Sequence, residues 1–240
     1  MSKEELLARE KGAAKQRIFT AAASLFAQKG YAAVSVRDIA DMANVNIAMI
    51  NYYYGGKVGI LKAIINECYN KYYDAVNVVY EGSASPEETV REVISNVIDF
   101  YRNNRVLAMV AFNTTPIDIP EILELKLKWV SAKRKGAIDF FGRLGLDTSD
   151  MILMSVIRGL LTTLIADHFQ TRYVWEHILK SPEQVQFVKE HSLAEVMLKF
   201  DDAYYKGFTD ILHTLYFFGL KGIKDAGRRH LQNNKRGKHG

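Results

Sequence analysis

The sequence predicts an all-α chain in which a small helix-turn-helix head precedes a larger helical body. Three observations carry this. Alternation of the β type is nearly absent, and 240 residues contain only four prolines and one cysteine, so the chain offers little from which to build a sheet. Residues 35–57 hold two short helical patterns separated by a three-residue turn, the build of a helix-turn-helix. From residue 86 onward, apolar residues recur at three- and four-residue spacing over segments long enough for helices.

The elements follow in order. Lys15 to Lys29 reads as a helix with Ile18, Ala22, Leu25 and Phe26 on one face, stopped by Gly30. Ser35 is a suitable N-cap for the next helix, and Asp38 three residues on completes a capping box. Val36, Ile39, Ala40 and Ala43 fall on its inward face. The turn needs a residue tolerant of positive φ, which Asn44 supplies. Val45 is expected to plug the gap between the two helices, and Asn46 to cap the second. Ile50, Tyr53 and Tyr54 then anchor that helix, leaving Ile47, Ala48, Met49, Asn51 and Tyr52 more outward.

A short helix so rich in hydrogen-bonding and aromatic groups has the chemistry needed to enter a DNA major groove. Gly55, Gly56 and Lys57 follow and open a long helix toward Tyr80. A lysine at a helix N-terminus beside two glycines is a phosphate-binding arrangement. It is not a Walker loop, because Asn51 stands where the first glycine belongs and Val58 follows the lysine.

The body reads as a succession of helices: Pro86 to Asn103 behind Ser85, Arg105 to Thr115, Glu121 to Leu144, Thr148 to Gln170, Ser181 to His191, and Ala194 to Ile223. No repeat or low-complexity linker separates head from body, so the two are expected to share the helix from Lys57. Two body helices are apolar over more than one stripe and must be covered on more than one side. They contribute Ile152, Val156, Leu160 and Leu164, then Phe208, Ile211, Leu212 and Leu215, as expected dimer contacts; the alternative is that both are central core helices. Gly227 to Gly240, almost without apolar residues, is expected to be a disordered basic tail.

Residues 15–65 resemble the N-terminal domain of the TetR/AcrR family of transcriptional regulators. The likeness rests on "Ala-Ala-x-x-Leu-Phe-Ala-x-Lys-Gly-Tyr" ending at Tyr31, "Val-Arg-Asp-Ile-Ala" at 36–40, and "Ile-Asn-Tyr-Tyr-Tyr-Gly-Gly-Lys" at 50–57. Asn44 replaces the family's usual turn glycine and Asn46 its usual serine or threonine cap; both are chemically tolerable. The resemblance implies a two-fold dimer through a four-helix bundle and a ligand pocket in the body; with no catalytic motif in the chain, an enzyme is not expected. By the family pattern, Ser35, Arg37, Ile47, Ala48, Met49, Asn51, Tyr52 and Tyr53 contact DNA, and Lys57 holds a phosphate. Asn51 suits base reading, since an amide pairs bidentately with adenine. Tyr52 either packs on the backbone or donates its hydroxyl to phosphate.

Charge distribution agrees. Residues 1–60 carry a net +3, residues 61–220 a net −4 and the last twenty a net +6, as expected if the head meets phosphate. Cys68 is the sole cysteine, which fits a reducing compartment. Met1 to Gly12 is charged and lacks a signal-peptide core, and Met151 to Ile165 is interrupted by Arg158 and short for a bilayer. A cytoplasmic protein without a membrane partner is therefore expected. No hydrolase, zincin or paired-cysteine motif is present, and no cofactor or metal is implied.

These readings divide the chain into a DNA-binding head (1–60), a ligand-binding and dimerisation body (61–227) and the tail (228–240). Phe100, Tyr101, Arg105, Met109, Phe112, Trp129, Phe140, Met154, Arg158, His168 and Phe169 are expected to line a pocket for a small apolar or aromatic effector. The expected function is that of a homodimeric repressor released from a palindromic operator by that effector. Two rivals are an architectural or nucleoid-associated DNA binder without an effector, and a helical binding module or enzyme whose helix-turn-helix is fortuitous.

Overall fold

The computed structural model describes residues 2–77, 85–113, 115–191 and 199–236, and among them every regular element is helical. Contacts divide the chain into two compact units. One comprises Met1–Asp74 with Asn103–Lys133, the other Ala75–Arg102 with Arg134–Gly240.

In the first unit, α1 (Lys3–Lys29) packs on α2 (Val36–Ala43) and α3 (Ile47–Tyr54), and α4 (Lys57–Asn77) follows. The start of α1 lies a full twelve residues before Lys15, where the sequence reading began it. The cause is a capping box at Ser2: the Glu5 amide donates to Ser2 Oγ at 3.1 Å and the Ser2 amide to Glu5 Oε2 at 2.6 Å. Ile18, Ala22, Leu25 and Phe26 are buried together with Ile39, Ala40, Ala43 and Ile50. Ile60, Leu61, Ile64 and Ile65 on α4 have no exposure at all. Such a core supplies most of the stability of short helices that are marginal alone.

The same unit takes in α6 (Arg105–Ala108), a π-helical turn (Met109–Asn113) and the first part of α7 (Pro120–Arg143). Both α6 and the π turn contact α1. The sequence reading expected one regular helix from Arg105 to Thr115. Instead the chain widens at Met109, and Thr115 Oγ1 donates back to the carbonyls of Val110 (2.8 Å) and Ala111 (2.9 Å). Tyr69 stacks on Trp129 with ring centroids 5.3 Å apart and meets Phe112 edge-on at 5.4 Å, while Trp129 Nε1 donates to Asn66 at 3.1 Å.

The second unit holds α5 (Pro86–Asn103), α8 (Met151–Ile178), α9 (Pro182–Glu190) and α10 (Asp202–Arg236). Ser85 and Glu88 form a capping box ahead of α5, and Asp150 Oδ1 accepts the amides of Ile152 and Leu153 to start α8. α5 buries Val90, Val93, Ile94, Val97 and Ile98 on one face. Its polar edge pairs Arg91 with Asp210 and Arg102 with Asp202, the latter at 2.6 Å, and the Tyr216 hydroxyl donates to the Ile157 carbonyl at 2.6 Å.

Three expectations are corrected here. Leu212 is only 5% exposed: it shares the inward face of α10 with Tyr205, Tyr216 and Leu220, so it is core rather than dimer contact. α8 runs on to Ile178, past Gln170, because no breaker intervenes. The segment expected to be a disordered tail is helical through Arg236; propagation from a helix already formed costs no new nucleus. Residues 237–240 lie outside the described residues, as do residues 194–198 of the expected last helix. By length and composition alone, Met151–Glu176 also suffices to cross a membrane, more than the Met151–Ile165 stretch suggested.

Candidate nucleic-acid interface

The interface is built by local capping. Ser35 Oγ accepts the Asp38 amide at 3.1 Å and donates to Asp38 Oδ2 at 2.6 Å, while the Ser35 amide donates to that oxygen at 2.7 Å. These bonds hold the Asp38 carboxyl below the usual carboxylate range, with Lys29 and Lys57 adding to the effect. Asn44 ends α2 at φ 51° and ψ 58°, the only non-glycine positive φ among the described residues. Asn46 Oδ1 then accepts the Ala48 amide at 2.8 Å and starts α3. Asn44 and Asn46 thus take the roles assigned to them in the sequence, and Val45 between them is half-buried.

Two bonds with α1 lock this pair in place; the sequence names Tyr54 as an anchor without its partner and gives no sign of Arg17. Arg17 Nε donates to the Ala43 carbonyl at 3.1 Å, where the α2 dipole favours a cation. The Tyr54 hydroxyl donates to the Lys15 carbonyl at 2.9 Å. Arg17 and Lys15 carried no local signal, since their partners lie far along the chain. Gly59 was missed as well: a Cβ there would stand 1.6 Å from the Tyr54 carbonyl oxygen.

The outward side of α3 is as expected. Ile50 is fully buried and Tyr53 and Tyr54 half-buried, while Ile47, Ala48, Asn51 and Tyr52 are exposed, Tyr52 at 74%. Met49 is half-buried rather than outward. Tyr52 meets Tyr53 edge-on at 4.9 Å. Ser35 and Arg37 are exposed at the start of α2. Gly55 and Gly56 turn the chain at φ 69° and 107° and place Lys57 at the first position of α4. Lys57 Nζ sits 4.0 Å from the centre of the Tyr31 ring; burial lowers its pKa and Asp38 opposes that. The result is an exposed recognition helix flanked by a cation on a helix N-terminus, a surface suited to a groove and its phosphates.

The residues expected to line a pocket fall in both units. Arg105, Met109, Phe112 and Trp129 belong to the first; Phe100, Tyr101, Phe140, Met154, Arg158, His168 and Phe169 belong to the second. In the second, Tyr101 stacks on Phe169 at 5.3 Å, and Phe169 on Tyr205 at 5.7 Å. His168 lies among Phe169, Tyr204 and Phe208, its Nε2 buried without a hydrogen-bond partner. Burial, and then Arg172, lower its pKa against the pull of Asp167. Phe140 packs on Phe141 as core. Of the expected dimer contacts, Ile152, Val156, Leu160, Leu164, Ile211 and Leu215 are exposed and Phe208 is half-buried.

This fold and surface are those of a helix-turn-helix head of the DNA-binding type. Residues 18–64 match the profile of the bacterial regulatory proteins, tetR family. The chain is 26% identical over 180 residues to the probable HTH-type transcriptional regulator YttP of Bacillus subtilis, covering 73% of this chain and 86% of that protein. It is 26% identical over 87 residues to the HTH-type transcriptional repressor NicS of Pseudomonas putida, covering 36% of this chain and 41% of that one. Among solved structures, a TetR-like transcriptional regulator from Rhodococcus sp. RHA1 superposes with a TM-score of 0.56 at 20% identity, over 87% of this chain and 96% of that one. The chain is a DNA-binding transcriptional regulator, similar to those of the TetR family.

Proposed function

We propose that this chain is a homodimeric repressor that binds a palindromic operator and leaves it when a small apolar or aromatic ligand occupies the body. The observation that carries the dimer is the outer face of α8 and α10. Ile152, Val156, Leu160 and Leu164 recur every four residues on α8 and are exposed, as are Ile211, Leu215 and Phe218 on α10. Aligned apolar stripes on neighbouring helices are what an isologous interface requires. A bilayer is the poorer cover, since Arg158, Asp167 and Arg172 punctuate α8.

A two-fold dimer sets two α3 helices against one duplex, with half-sites about 34–36 Å apart or a multiple of that. Asn51 reads a base, Tyr52 and Arg37 touch the backbone, and Lys57 holds a phosphate. Repression finds support in the likeness to NicS, a transcriptional repressor. The aromatic cluster around His168, with its unpartnered ring nitrogen, supports an aromatic effector. Ligand binding then shifts the population toward a head spacing that no longer fits, with α4, which has residues in both units, as the lever.

The test is selection of genomic DNA fragments by the purified chain, with the bound sequences read out. A short palindrome upstream of a few genes is the expected result, and scattered binding without sequence preference would favour an architectural role instead. For the effector, an aromatic ligand that binds tightly yet leaves operator affinity unchanged would end the release mechanism.

A further inference from the structure

Lys57 stands at the N-terminus of α4, and a lysine side chain there has four rotatable bonds to order before it holds a phosphate. In this chain much of that ordering is already done. Its Nζ lies 4.0 Å from the centroid of the Tyr31 ring, within the range of a cation–π contact. Tyr31 is itself held, half-buried behind the Gly30 turn with its ring 5.3 Å from that of Phe26, which is wholly buried. Burial, followed by Glu121 and Asp118, raises the Tyr31 pKa, so the ring meets the ammonium as a neutral phenol.

We propose that Tyr31 is a positioning residue for DNA binding: its ring parks the Lys57 ammonium beside the start of α2 before a phosphate arrives. This rests on the reading that Lys57 meets a DNA phosphate. The ring covers one side of the ammonium and leaves N–H donors on the other, so it orders the group without consuming it. Preorganisation of this kind strengthens binding by reducing what must be ordered on contact.

The test has a DNA-free arm and a DNA arm. In the free protein, the methylene protons next to Lys57 Nζ are expected to be shifted upfield by the ring current. Tyr31→Phe keeps that shift and Tyr31→Leu abolishes it. On a duplex of random sequence at low salt, Tyr31→Leu weakens binding about two- to fivefold, the size of an exposed cation–π contact. Tyr31→Phe binds like the wild type, and Tyr31→Leu has no further effect in a Lys57→Met background. A wild-type spectrum without the upfield shift overturns the proposal and leaves DNA binding intact. So does equal weakening by Tyr31→Leu with and without Lys57. A wild-type chain that fails to bind the duplex at all overturns the DNA reading and this role with it. Should Tyr31→Leu unfold the head, the wild-type and Tyr31→Phe spectra and affinities still decide.

Discussion

In the first unit, an eight-residue helix buries its Ile50 and turns an amide and a phenol outward. In the second, α8 and α10 turn isoleucine, valine, leucine and phenylalanine outward over several turns. The first surface is nearly complete: Ile50 is covered, and beside the exposed Ile47 and Ala48 stand Asn51 and Tyr52, whose side chains can hydrogen-bond. The second is unfinished, since side chains of that size gain by leaving water. A finished polar surface fits a polar, charged partner; an unfinished apolar one fits a copy of itself. The difference separates the two tasks proposed for the chain, DNA contact and assembly.

Substitutions can break this comparison at either end. Phe26→Ala empties the centre of the head core and is expected to destabilise it by about 3–5 kcal/mol, seen as an early thermal transition with loss of DNA binding. An unchanged transition would mean that the head does not depend on that core. Asn44→Ala keeps a Cβ at φ 51° but loses the short polar side chain that makes the left-handed region tolerable for asparagine, which costs roughly 1 kcal/mol. Asn44→Gly should be close to neutral by the same melt, and equal melts for both variants would refute the strain.

Ser35→Ala removes a cap and should cost about 1 kcal/mol at neutral pH. The depressed Asp38 carboxyl adds a pH signature. Its share of stability is complete above the ordinary carboxylate pKa and is lost as pH falls through the lower folded value. Acid titration of the melt should therefore show the gap between wild type and Ser35→Ala narrowing below that range to what the Asp38 amide bond to Ser35 Oγ contributes, and a constant gap would exclude the Asp38 linkage. At the small end, Leu160→Glu with Ile211→Glu should leave the unfolding of the single chain within about 0.5 kcal/mol, since both positions are exposed. A loss as large as that of Phe26→Ala would make that face core.

The sequence disclosed the head more fully than the body, for a physical reason. Ser35, Asp38, Asn44 and Asn46 act through bonds spanning two to four residues, so spacing alone reveals them. Arg17 and Tyr54 act across 26 and 39 residues, and Gly59 through a close approach that no pattern records. In the body, apolar periodicity identified helices that exceed one stripe but not which stripe faces in. Leu212 was therefore grouped with Ile211 and Leu215, although one step along a helix turns a side chain by 100° and takes Leu212 into the core. The π turn at Met109 and the helical run to Arg236 were likewise invisible, because neither carries a breaker or a cap.

The most direct measurement is the mass of the protein–DNA complex by sedimentation, using the duplex recovered by fragment selection and comparing the wild type with Leu160→Glu, Ile211→Glu. Two copies of the wild-type chain per duplex are expected, with the variant monomeric and much weaker on the same DNA. A single wild-type copy on the duplex, or a variant that binds as tightly as the wild type, would contradict the account.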